Sequence, residues 1–203
     1  MARAALAWVC LNPGIRPPEL VQGLPLQGFS SLQEFLNQTE THAVVVLDGP
    51  ADVMGQAART LRADPRYQQE LIYTTRPGDP WCAALSDGEL PGDGAGLEAA
   101  WRRWQERKRL FNRGEHPTDL DQSLLCWLWL RPGAEFRPLC DPSSAHIYRY
   151  PLVETIAGQS ALSSYSWLQQ KQQENLLEGG DLVDRIRQCP SCSSSRLNYV
   201  DVC

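Results

Sequence analysis

Residues 43–76, AVVVLDGPADVMGQAARTLRADPRYQQELIYTTR, decide the fold. They open on Ala43-Val44-Val45-Val46-Leu47, an unbroken apolar run rich in β-branched side chains. A strand with one wet face alternates apolar and polar residues. A strand without that alternation belongs inside a sheet covered on both sides, the setting of parallel sheets. Gly49-Pro50 turns the chain, and Pro50 suits a first helical turn, where the missing N–H has no intrahelical partner to lose. Val53, Ala57 and Leu61 then recur at helical spacing, and Asp64-Pro65 stops the helix, because a residue before proline avoids helical backbone. Leu71–Thr75 reads as the next strand. A strand, a helix and a second strand in this order predict a right-handed α/β unit.

Working outward, Ala4–Cys10 reads as another buried strand, broken by Asn12-Pro13-Gly14 and Pro17-Pro18. Ser30 or Ser31 caps a short helix with Leu32, Phe35 and Leu36 on one side. Residues 77–95, rich in Gly, Pro and Asp, read as surface loop. Gly96–Arg113 is an amphipathic helix with Leu97, Ala100, Trp101, Trp104 and Phe111 on its apolar side. Its other side carries Arg102, Arg103, Arg107, Lys108, Arg109 and Arg113, opposed only by Glu98 and Glu106. Beyond Gly114 and Pro117, the run Leu124–Leu130 reads as a strand with Trp127 and Trp129 on one face. Phe136–Leu152 is a Pro- and Tyr-rich segment. Ser163 or Ser164 starts a helix through Trp167 and Leu168, extending toward Leu176, and Gly179-Gly180 breaks it. The expected organisation is an α/β domain over 1–95, a connecting helix over 96–117 and a small α+β domain over 118–203.

Composition narrows the class. The chain has 203 residues, 42% hydrophobic and 21% charged, which is ordinary globular material. Ala43–Leu47 and Leu124–Leu130 are far too short to span a bilayer. The N-terminal MARAALAWVCLNPG has no long apolar core before a small-residue cleavage site, so it reads as a strand rather than a signal peptide, and a cytoplasmic location is expected. A net charge of −5 argues against a nucleic-acid binder, which carries a basic excess. The seven cysteines, at 10, 82, 126, 140, 189, 192 and 203, are odd in number and scattered, unlike a secreted disulfide framework. Cys10 and Cys126 lie in apolar runs and read as buried small hydrophobes.

The segment from Val44 to Arg76 resembles the middle of a response-regulator receiver domain. Asp48 ends its strand where that family places the phosphoaccepting Asp. The Leu61-Arg62-x-Asp64-Pro65-x-Tyr67 run and a following strand ending in Thr also match. The resemblance implies Mg²⁺ held by an acidic pair after the first strand, and a Lys after the fifth. Here Leu11-Asn12-Pro13 supplies no acid, no Lys corresponds, and the first helix is shortened to Pro17–Val21 or lost. Phosphoaspartate chemistry without those charges loses most of its electrostatic stabilisation. The expectation is a degenerate, receiver-like scaffold. An active phospho-receiver at Asp48 is an alternative, and a plain turn or cap residue is the structural reading of Asp48.

At the other end, Cys189-Pro190-Ser191-Cys192 puts two thiolates on one tight turn, a knuckle that grips one side of a tetrahedral Zn²⁺. Cys203 follows an alternating Leu197, Tyr199, Val200, Val202 stretch that fits a returning hairpin. A redox pair and inert thiols are the alternatives. A zinc ribbon carries a second Cys-x-x-Cys here, whose last ligand would fall beyond Cys203. The zinc set Cys189, Cys192 and Cys203 is therefore expected to be incomplete in this sequence, with Cys140 and His146 as candidate fourth ligands. The Leu124–Arg131 run, Tyr148-Arg149-Tyr150-Pro151-Leu152 and the cysteine pattern together resemble the thaumarchaeal output domain. That resemblance implies a metal-binding signalling module.

No phosphate-cradling loop, GxSxG elbow or HExxH appears, so no enzyme active site is nominated. The basic side chains Arg102, Arg103, Arg107 and Arg109 form either a solvated face or a contact face for an acidic partner. Trp101 and Trp104 read as core. The expected function is a non-enzymatic signalling protein with a receiver-like domain and a zinc-binding output-like domain that works by protein contact, with self-association open to it. The alternative is a nucleic-acid-binding regulator using the ribbon and the basic helix.

Overall fold

The computed structural model describes residues 6–21, 24–112, 120–144, 147–158, 161–181, 183 and 189–191. The chain divides into two compact units, Met1–Glu135 and Phe136–Cys203. Among the described residues, no helix is long and apolar enough to cross a membrane.

In the first unit, β1 (Leu6–Cys10) is followed by a two-stranded hairpin, β2 (Leu20–Val21) and β3 (Leu24–Pro25), and by β4 (Gln27–Phe29). Ser31 caps α1 (Leu32–Leu36), its hydroxyl accepting from the Glu34 N–H. β5 (Val44–Asp48), α2 (Ala51–Ala63) and β6 (Leu71–Thr74) form the expected α/β unit, with Pro50 at the helix cap and Asp64 at its end. β4, β1, β5 and β6 lie in that spatial order and all pair in parallel. Taken in chain order, the four sheet strands stand 2-1-3-4.

Both faces of β5 are covered, as its unbroken apolar run requires. Leu6, Trp8, Cys10, Val44, Val46, Leu71 and Tyr73 point to one face, into a core closed by Leu97, Trp104, Cys126 and Leu130. Ala7, Val9, Val45, Leu47 and Ile72 alternate to the other face, and all five are fully buried. The crossovers to the right, through α1 and α2, occupy that second face. The leftward connection from β1 to β4 takes the first, where Leu24 and Leu26 pack. The hairpin replaces the helix that a doubly wound sheet carries there.

Two expectations in this unit are corrected. Residues 77–95 are not all loop: Asp79 caps α3 (Pro80–Leu85), its carboxylate accepting from the Cys82 N–H at 2.6 Å. After α3, residues 87–90 run beside β6. Asp87 N–H donates to Ile72 O, Leu90 N–H donates to Thr74 O, and Thr74 bridges Glu89 in parallel. α4 (Gly94–Asn112) is the amphipathic helix, with Leu97 and Trp104 buried. The second correction is Leu124–Leu130, which is the larger part of a helix, α5 (Leu120–Leu130). Ser123, Leu124, Cys126, Trp127 and Leu130 are buried in it, a helical spacing. Trp127 and Trp129 therefore point about 200° apart rather than to one face, and Trp129 is 42% exposed.

The second unit begins with a hairpin of β7 (Leu139–Cys140) and β8 (Tyr148–Arg149). α6 (Pro151–Ala157) follows, with proline in its first turn and Gly158 ending it at φ 61°. The Tyr-rich segment thus holds a hairpin and the start of a helix. α7 (Ala161–Gln173) begins before Ser163 and Ser164, so neither caps it, and Leu176 lies past its end. Glu154 organises this unit: its carboxylate accepts from the Arg149 guanidinium and from the Tyr150 N–H.

Candidate functional site

In an open parallel sheet, ligand sites form outside the carboxyl ends of the strands, where neighbouring connections leave to opposite faces. Here that switch point lies between β1 and β5, where Asp48 stands. Gly49 lets the two chains close there, since a Cβ on it would sit 2.7 Å from the Leu11 Cβ. Leu11 N–H donates to Asp48 O at 2.8 Å.

The Asp48 side chain is 19% exposed. Its Oδ1 accepts a hydrogen bond from the Thr75 hydroxyl at 2.9 Å. The Arg76 guanidinium stands 3.7 Å from the same oxygen, on a side chain that is 58% exposed. On the β1 side, the chain presents Leu11 and Asn12, with no second carboxylate. Asp79 is held at its helix cap. The crevice therefore offers one carboxylate already matched by a hydroxyl and a guanidinium, not the clustered oxygens that a hard divalent cation takes. Below it, burial first and Asp48 second push the Cys10 thiol up, away from the reactive thiolate.

The basic residues on α4 do not form one uniform patch. Arg102 pairs with Glu98 at 2.7 Å. Arg107 lies over the Trp129 ring at 4.3 Å and donates to Trp129 O. Lys108 turns inward to Glu70 and over Trp104. Arg103 and Arg109 are exposed.

Among the described residues, no group of three His, Cys, Asp or Glu stands together as a metal site. Cys189 is half-buried, and Cys140 is exposed at the end of β7. Cys192, Cys203 and His146 lie outside the described residues, as does the expected hairpin over 197–203.

The sequence reading missed a buried ionic cluster at the opposite end of the sheet. Arg62 is fully buried and donates to the carbonyls of Tyr67, Gln68, Glu70 and Leu85. It also reaches Asp87 Oδ2 at 3.0 Å. Arg131, just past α5, pairs with both Asp87 oxygens and with the carbonyls of Gln69 and Glu70, and stacks on Trp127 at 4.5 Å. Burial works against the Asp87 carboxylate, but Arg131 and Arg62 outweigh it and hold the group below the usual carboxylate range. Burial, and then Arg131 beside it, lower Arg62 to about 9. In the sequence Arg62 falls in the receiver-like run, Asp87 in a stretch expected to be loop and Arg131 at the end of the Leu124–Arg131 run. The one clue in the sequence was an arginine on the inner side of a helix, which demands an anion.

Residues 112–203 match the family model described as thaumarchaeal output domain 1. Over these residues the chain is similar to that output-domain family, which suggests a signalling or regulatory role. No curated protein and no solved structure matches the chain.

Proposed function

We propose that this chain is a non-enzymatic, cytoplasmic signalling regulator in which a receiver-like α/β domain without phosphoacceptor chemistry carries an output-like domain that acts by protein contact. The observation that carries the reading is the pairing of Asp48 with Thr75 and Arg76, with no acid at the end of β1. The 2-1-3-4 strand order, with Asp48 at the switch point, supports likeness to the 2-1-3-4-5 sheet of receiver domains. Residues 87–90 stand where a fifth strand would be. At Asp48, a guanidinium takes the place of the metal and lysine on which phosphoryl transfer depends.

Incubating the full chain with acetyl phosphate and Mg²⁺, followed by intact-mass measurement, tests this. The expected outcome is an unmodified chain. A phosphoryl adduct that disappears in Asp48→Asn makes the domain an active receiver.

In the output-like part, Cys189, Cys192 and Cys203 would supply three thiolates to zinc, with Cys140 or His146 as the candidate fourth ligand, and the metal would stabilise the local fold. Elemental analysis after purification without chelator is expected to find zinc, and Cys189→Ser to reduce it severalfold. A metal-free wild-type chain removes zinc from the proposal and leaves the Asp48 reading standing.

A further inference from the structure

At the β4 edge of the sheet, away from the Asp48 crevice and the buried ionic cluster, a histidine is enclosed by aromatic rings. His42 lies between α1 and β5 and is fully buried. The Phe29 ring of β4 and the Phe35 ring of α1 each stand 5.6 Å from it, and Tyr67 packs on Phe35 at 4.9 Å. Its Nε2 stands 3.1 Å from Gln27 Oε1 on β4. An amide oxygen only accepts, so the neutral ring carries its proton on Nε2. Nδ1 is buried with no partner among the described residues. A second proton would go there, among apolar rings, where a charge is costly.

The charged groups around the ring offset little of that cost. Glu40, in the same loop, is exposed. It favours the cation, yet burial outweighs it and pushes His42 below its ordinary value. On α1, the Glu34 carboxylate accepts from the Ser30 N–H. Beyond Phe35 and Tyr67, Arg66 pairs with Asp64 and donates to the carbonyls of Leu36 and Gln38, and Glu70 pairs with Lys108. β4 contributes no charge.

His42 ties together two small elements. β4 is the outermost strand of its sheet and has three residues. α1 has five residues, and Phe35 is its one buried side chain. Elements this short open at a fraction of the cost of global unfolding.

We infer that His42 is an acid-sensitive latch: protonated, it leaves its aromatic site, and α1 and β4 come away from β1 while the rest of the sheet stays closed. The neutral ring stabilises the closed edge fully above the ordinary histidine value of 6.5. That stabilisation is lost as pH falls below it, because the open form takes up a proton that the closed form resists. One proton changes the opening equilibrium by up to about tenfold per pH unit. Opening bares the hydrogen-bonding groups of β1, a template for another strand. Asp87, held below the usual carboxylate range, stays ionised throughout.

Amide hydrogen exchange of the full chain, read by mass spectrometry from about pH 7.5 to about pH 5.5 and corrected for the intrinsic pH dependence of exchange, tests the inference. Opening of residues 27–42 is expected to rise about fivefold relative to β5. His42→Phe and His42→Gln, which cannot take the proton, are expected to hold that ratio constant. In the wild type, deuterium uptake at the His42 ring C2 position is expected to be slow and to titrate below 6.5. An unchanged wild-type ratio overturns the inference. So does a rise shared by β5 and β6, an equal rise in a folded neutral variant, or a His42 ring that titrates like free histidine.

Discussion

Arg62 shows how a buried charge is made tolerable. Its guanidinium is shut off from water and satisfied by four backbone carbonyls and the Asp87 carboxylate. Asp87 in turn holds Arg131. Removing one member of such a set leaves the remaining charges buried without their partner, which typically costs about 3–5 kcal/mol. Asp87→Ala strands two guanidinia at once, so urea denaturation at neutral pH is expected to show a loss of at least about 3 kcal/mol. A loss of under about 1 kcal/mol would mean that water reaches the cluster. The acid dependence has a definite sign. The Asp87 carboxyl titrates below its ordinary value of 3.8 in the folded chain. Its contribution is complete above that value and declines as pH falls below it. The sequence does not show that Asp87 is the anion, because it lies 25 residues from Arg62 and 44 from Arg131. Nothing local distinguishes it from the other acids of a Gly- and Pro-rich stretch.

At the scale of elements, α5 is the instructive case. Leu124-Leu125-Cys126-Trp127-Leu128-Trp129-Leu130 contains no polar residue to reveal a period, so a buried strand and a buried helix are equally consistent with it. Its length settles the matter only when Leu120–Ser123 is counted in. The helix lies against α4, and Gln69 donates to Ser123 O at 2.8 Å. Burial of Leu124, Trp127 and Leu130 contributes roughly 1.5–3 kcal/mol each. Native-state hydrogen exchange on the intact chain is expected to place the α5 amides in the same slow cooperative unit as β5 and β6. Exchange of α5 together with α6 and α7 instead would show that the helix opens independently of the sheet. By contrast, β5 and α2 were readable. An unbroken β-branched run has only one comfortable setting, and Pro50 and Asp64-Pro65 mark the helix ends by backbone sterics alone.

For the molecule as a whole, the family match begins at residue 112, whereas the first compact unit runs to Glu135. The matched stretch thus includes α5 and Arg131 of the first unit as well as α6 and α7 of the second. The Asp48 site was legible as far as its residue types go, since the missing acids after β1 are visible in Leu11-Asn12-Pro13. The position of Arg76 beside the carboxylate was not, because it depends on how β6 ends. The short segment 87–90 carries one more consequence. A parallel sheet that stops at β6 would leave an open strand edge, the usual template for cross-β aggregation. Asp87, Gly88 and Leu90 occupy the hydrogen-bonding groups of Ile72 and Thr74 instead. The carboxylate that pairs with both Arg62 and Arg131 therefore also pins the cap on a sticky edge, guarding solubility as well as stability.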